Sequence, residues 1–125
     1  MQIQVNTGHN IEMQKDRAAE ISGVVESSLS HYSDHITRVE IHLSDENSDK
    51  KEGYEDMRCM LEARLKGSQP IAVKHQAESL DLAISGAADK LVRLLESTIG
   101  RRREQQRRRA DPDPSEPDQE LAKEL

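Results

Sequence analysis

Six arginines fall within nine positions near the end of the chain: Arg101, Arg102, Arg103, Arg107, Arg108 and Arg109, interrupted by Glu104-Gln105-Gln106. A guanidinium is charged at every physiological pH and presents a planar fork of donors that fits a phosphate. Two such triplets therefore have the chemistry of a polyanion contact, neutralising phosphates and releasing their counterions. Lys90 and Arg93 precede the block. If one helix runs through all of them, offsets of three and eleven residues bring Lys90, Arg93 and Arg101 to neighbouring angles on one flank. The bland alternative is a solvated tail whose arginines pair with the acids that follow Ala110.

Other chemistry has no visible carrier. No serine sits in a nucleophile elbow and no glycine-rich loop is placed to cradle a phosphate; Gly86 reads as a helix-interior glycine. Cys59 is the only cysteine, so neither an internal disulfide nor a thiolate zinc cage can form, and its inward position on a strand suits a small core filler. His31 and His35 have the four-residue spacing of a helical metal pair, but no third or fourth ligand is placed, so solvated histidines are expected. His9, His42 and His75 fall on different elements and support no catalytic claim. The expectation is a protein that is not an enzyme and has no metal or cofactor.

A strand feeding a helix must position the cations. Ile71 to Ala77 alternates apolar and polar residues, and Leu80, Ile84, Ala87, Leu91, Leu94, Leu95 and Thr98 then recur at threes and fours, collecting into one apolar stripe. Ser79 is a good N-cap, and Asp81 in the first turn faces the positive end of the helix dipole. Gly100 either ends this helix or merely weakens it before the arginines.

Upstream, Gln2 to Asn6 alternates as a short first strand. Met13 to Tyr32 carries Ala18, Ile21, Val24, Val25, Leu29 and Tyr32 at helical spacing, and Ser30 to His35 is turn-prone. Ile36 to Ser44 is a strand with Val39, Ile41 and Leu43 on its dry face; Asp45 to Gly53 is a charged loop. Glu55 to Lys66 is a third strand with Met57, Cys59, Leu61, Ala63 and Leu65 inward, turned by Gly67-Ser68-Gln69-Pro70 into the fourth. The order β-α-β-β-β-α, with each strand dry on one side, predicts an α+β domain: a four-stranded sheet with both helices packed on one face.

Composition bounds the partner. The 125 residues suffice for one compact domain, and with no Phe or Trp and only Tyr32 and Tyr54 as aromatics, the core is aliphatic. Sequence-specific single-strand readers stack bases on aromatic rings, so a nucleic-acid partner here would be read by shape and phosphate. The net charge of -6 divides into -6 over residues 1–100, +5 over 101–109 and -5 over 110–125. Asp111-Pro112-Asp113-Pro114 and the residues after it can neither bury a core nor continue a helix, so this last segment is expected to be disordered. There is no leader-like amino terminus and no run long enough to span a membrane, so the cytosol is expected.

In this order and spacing, the opening Gln2-Ile3-Gln4-Val5-Asn6 with Gly8 to Glu12 after it, and Leu82-Ala83-Ile84 followed by Asp89-Lys90-Leu91-Val92-Arg93, resemble the ribosome hibernation-promoting factors. These are also called ribosome-associated inhibitor A or sigma-54 modulation proteins. The likeness covers about residues 1–100 and leaves 101–125 as a charged tail, basic over 101–109 and acidic and proline-rich over 110–125. It implies a fold like a double-stranded-RNA-binding domain. It also implies binding to small-subunit rRNA in the ribosomal channel for mRNA and tRNA, which shuts down translation under stress, without catalysis, small-molecule substrate or membrane.

On that resemblance Lys90 and Arg93 become phosphate contacts of the second helix, Arg101 to Arg103 continue the basic surface, and Lys74 on the fourth strand is a further candidate. The first helix departs from the family's basic pattern, setting Lys15 and Arg17 against Asp16, Glu20 and Glu26. No long second domain follows, so pairing of ribosomes is not expected of this chain. The rival reading is a protein of the family's shape that has lost ribosome binding and captures a protein partner through its charged tail.

Overall fold

The computed structural model describes residues 1–8, 11–46 and 57–110, with the side chains of 109 and 110 excepted. The elements are β1 (Gln2–Thr7), α1 (Lys15–Leu29), a 3-10 turn (Ser30–His35), β2 (Ile36–Asp45), β3 (Met57–Leu65), β4 (Ile71–Ala77) and α2 (Leu80–Ala110). The chain divides into two compact units, residues 1–93 and a second beginning at Leu94.

The first unit is the expected α+β domain. Its sheet has the order β1-β2-β3-β4. β1 lies parallel to β2, which requires a crossover, and α1 supplies it. β2, β3 and β4 follow as antiparallel neighbours. The tight turn between β3 and β4 places Gly67 at φ 69°, a conformation that glycine adopts without strain.

Alternation decides which residues meet. Val39, Ile41 and Leu43 of β2 and Cys59, Leu61, Ala63 and Leu65 of β3 are all buried. On the helices, Ile21, Val25 and Leu29 of α1 and Ala83, Ile84, Ala87, Ala88 and Leu91 of α2 cover that face. A glycine lets α2 lie close to β4: Gly86 sits against His75, and a Cβ built there would come within 2.6 Å of His75 Cγ and collide with Cδ2 and Nε2. Ser79 caps as expected, its Oγ accepting from the Leu82 amide at 3.2 Å. Across the helices, Arg17 pairs with Asp81 and with Glu20, the latter at 3.3 Å, so this cation of α1 is committed internally.

Two expectations need amendment. Val24 belongs to the helical pattern but is 53% exposed, because α1 buries only its i, i+4 row of Ile21, Val25 and Leu29. The first helix stops at Leu29 and tightens into the 3-10 turn, where His31 and His35 no longer share a face and His31 stands edge-on to Tyr32 at 5.1 Å. Of the two readings left open at Gly100, the helix takes the second: α2 continues to Ala110, so the basic segment up to that point is helical. The acidic segment after Ala110 and most of the Asp45–Gly53 loop lie outside the described residues. No helix among the described residues is long and apolar enough to cross a membrane.

Cys59 has no exposed surface, and burial pushes its thiol up to about 12. Since the thiolate is the reactive species, the expected result at pH 8 is negligible labelling of the native protein by a disulfide reagent and one equivalent in denaturant. Rapid labelling of the native protein would contradict the packing described.

Candidate nucleic-acid interface

β4 is at the edge of the sheet, and its outer rim presents backbone groups that no strand among the described residues covers. Lys90 of α2 reaches this rim, its Nζ donating to the Lys74 carbonyl oxygen at 2.9 Å. That bond draws together two of the cations singled out in the sequence, 16 residues apart. Lys74 itself stands exposed on the outward face of the sheet, opposite Met60, while Gln76 stands opposite Arg58. Arg58 and Lys74 are thus diagonal neighbours on one face, within mutual reach of long side chains.

Together these residues line a groove of about 550 Å³ whose walls are Glu46, Arg58, Lys74, His75, Gln76 and Lys90. Three fixed positive charges face a single carboxylate there among the described residues. Among the described residues none of the three cations is in an ion pair, whereas Arg17, Arg38, Arg107 and Arg108 all are. A concave surface that collects uncompensated ammonium and guanidinium groups favours a phosphate-bearing ligand, and its field is strengthened by the low-dielectric wall behind it. Of the two tyrosines, Tyr32 is buried, and Tyr54 lies outside the described residues.

Arg58 was missed as a candidate. Its outward position follows from the alternation of β3, but its distance from Lys74 follows only from the hairpin register, since paired residues of β3 and β4 depend on where the turn at Gly67 closes. Arg93, one turn beyond Lys90, is exposed on α2 and does not line the groove.

In the second unit, Arg101 and Arg103 are exposed and Arg102 is half-buried, with its Nη1 enclosed and without a hydrogen-bond partner. Arg107 and Arg108 fold back on Glu104 at 3.8 and 3.5 Å, the i, i+3 and i, i+4 pairs of an exposed helix. Such pairs are worth about 0.3–0.5 kcal/mol each and yield readily to a phosphate. Arg109 belongs to α2, but its side chain is outside those described.

The sheet order and helix placement recur in solved structures. The Protein Y N-terminal domain of Thermus thermophilus superposes with a TM-score of 0.61 at 21% identity, covering 78% of this chain and 99% of that one. A ribosomal subunit interface protein from Coxiella burnetii gives 0.59 at 17% identity, covering 80% and 99%. No curated protein sequence matches the chain. The model of the sigma 54 modulation protein / S30EA ribosomal protein family matches residues 4–103, from the first strand into the arginine block. The chain therefore belongs to the sigma 54 modulation protein / S30EA ribosomal protein family.

Proposed function

We propose that this chain is a ribosome-associated factor of the cytosol that binds small-subunit rRNA in the channel used by mRNA and tRNA, and so holds translation idle. The single observation that carries the reading is the groove at the β4 edge, where Arg58, Lys74 and Lys90 stand without carboxylate partners among the described residues, in a family of ribosomal proteins. The groove grips phosphate by charge and contour; Arg93 and the arginines at 101–103, 107, 108 and 109 are further cations of the chain available to a polyanion. The acidic remainder of the chain limits non-specific attachment, because a net charge of -6 repels RNA everywhere except where cations are concentrated. Nothing in this role calls for catalysis, and the family is not one of enzymes.

The test is co-sedimentation of the purified protein with isolated small and large subunits over a range of salt. Binding to the small subunit is expected at 50 mM salt. Three phosphate contacts should weaken it by about one to two orders of magnitude at 200 mM, as counterion release predicts. Absence of the protein from the small-subunit pellet at the lowest salt, or equal capture by both subunits, would overturn the reading.

A further inference from the structure

On the outward face of the sheet two carboxylates meet head to head: Glu40 of β2 and Glu62 of β3 are direct partners in the antiparallel ladder. Like charges directly opposite each other destabilise a sheet unless a cation lies between or beside them. Arg38 and, at longer range, Arg64 offset the charge of Glu40: the Arg38 Nε donates to Glu40 Oε2 at 3.0 Å while its other arm reaches Gln4 of β1. The second oxygen, Glu40 Oε1, faces His42 Nε2 at 3.3 Å. One ligand atom each from Glu40, His42 and Glu62 lies within 4.8 Å of the others, and all three side chains are half-buried.

This geometry has a chemical reading. Bonds of about 2.0–2.2 Å at tetrahedral angles put adjacent ligand atoms roughly 3.3–3.6 Å apart, so the Glu40–His42 separation is already that of two ligands on one zinc-sized ion. We propose that Glu40, His42 and Glu62 form a site for one divalent transition-metal ion of the zinc class.

A borderline imidazole nitrogen with two carboxylate oxygens selects Zn²⁺ or Co²⁺ over Mg²⁺ and Ca²⁺, which prefer all-oxygen shells. Glu62 completes the set by a side-chain rotation, and the outward position leaves a fourth place for water. Arg38 is a positioning residue: by holding Glu40 Oε2 it aims Oε1 at the ion. The ion neutralises the opposed carboxylates, which relieves the cross-strand repulsion.

The experiment is a titration of the full chain with Co²⁺, read by visible absorption and by amide resonances of β2 and β3, followed by competition with Zn²⁺ and with Mg²⁺. One equivalent of Co²⁺ should bind, shift resonances around Ile41 and Leu61, and be displaced by Zn²⁺ but not by Mg²⁺. His42→Gln and, separately, Glu62→Gln should each weaken binding at least tenfold while leaving the melting temperature of the metal-free protein within a few degrees. No Zn²⁺-displaceable binding at millimolar Co²⁺, or binding that either substitution leaves unchanged, would overturn the proposal. RNA takes no part in this test, so its outcome is independent of ribosome binding.

Discussion

Replacing Arg58, Lys74 and Lys90 together by glutamine is expected to lower affinity for the small subunit by about two orders of magnitude near 0.1 M salt, while the fold stays intact. Each phosphate contact contributes roughly 0.7–0.9 to the slope of log affinity against log salt, so removing three should flatten that slope by about two to three. Arg58 and Lys74 point away from the core, and the Lys90 bond to the Lys74 carbonyl is exposed, so a glutamine at 90 leaves that carbonyl to water at small expense. The matched control is Arg107→Gln with Arg108→Gln. These residues already share Glu104, so exchanging that pairing for phosphate should gain less, and their loss should cost less per charge. Equilibrium binding over a salt series separates the two variants. If the groove variant binds like the parent at every salt concentration, the β4 edge is not the contact surface.

The second large effect concerns the fold that carries the groove. Gly86→Ala would ordinarily favour a helix by up to about 1 kcal/mol, since glycine is a poor helix former. Here the added methyl would meet the imidazole of His75, with Cγ, the ring atom nearest the backbone, only 2.6 Å away. A ring held that close to its own strand cannot swing clear as the tip of a lysine would. Overpacking of this kind costs roughly 1–3 kcal/mol and should outweigh the propensity gain. The expected result is a net loss of about 1–2 kcal/mol, or a melting temperature lower by roughly 5–10 °C for a domain of this size. Adding His75→Ala should recover much of the loss, and the coupling between the two positions, read from a double-mutant cycle, should be favourable and near 1 kcal/mol or more. A Gly86→Ala protein as stable as its parent would mean that the helix is free to lift off β4. Because His75 also lines the groove, the same substitution is expected to weaken subunit binding.

These two predictions rest on different parts of what the sequence disclosed. The period-two runs of β2 and β4 and the Ser79 cap are local signals, set by burial on one face and by one hydroxyl, and they fix those elements to within a residue or so. Helix ends are harder to read. Gly100 is a weak helix former, but its backbone adopts helical angles like any residue's, and the arginines after it, good helix formers with a Glu104 partner, carry α2 onward to Ala110. Val24 misled because periodicity at threes and fours cannot say how wide a helix's buried stripe is; only the packing of α1 decides that.

The candidate site was half legible. Lys74 and Lys90 emerged from sequence and resemblance, but their union depends on α2 crossing the rim of β4, a tertiary fact. Arg58 required the hairpin register, and Glu40, His42 and Glu62 required the pairing of β2 with β3. Charge blocks are visible in a sequence, whereas the partners that cancel them are not. The arginine run stood out at once, yet two of its members share a carboxylate, whereas Arg58, Lys74 and Lys90, which have no ion pair among the described residues, lie apart from it in the sequence.

Directed hydroxyl-radical probing addresses the rRNA contact itself. Ala72, exposed on the same outward face as Lys74 and two residues away, can be replaced by cysteine and tethered to an iron chelate without interference from Cys59, which is buried and unreactive. Bound to the small subunit, the Ala72→Cys conjugate should cleave rRNA strands that line the mRNA and tRNA channel, and the cuts should vanish in the Arg58, Lys74 and Lys90 triple variant. Cleavage spread evenly over the subunit, or unchanged by the triple substitution, would show that the β4 edge does not face rRNA.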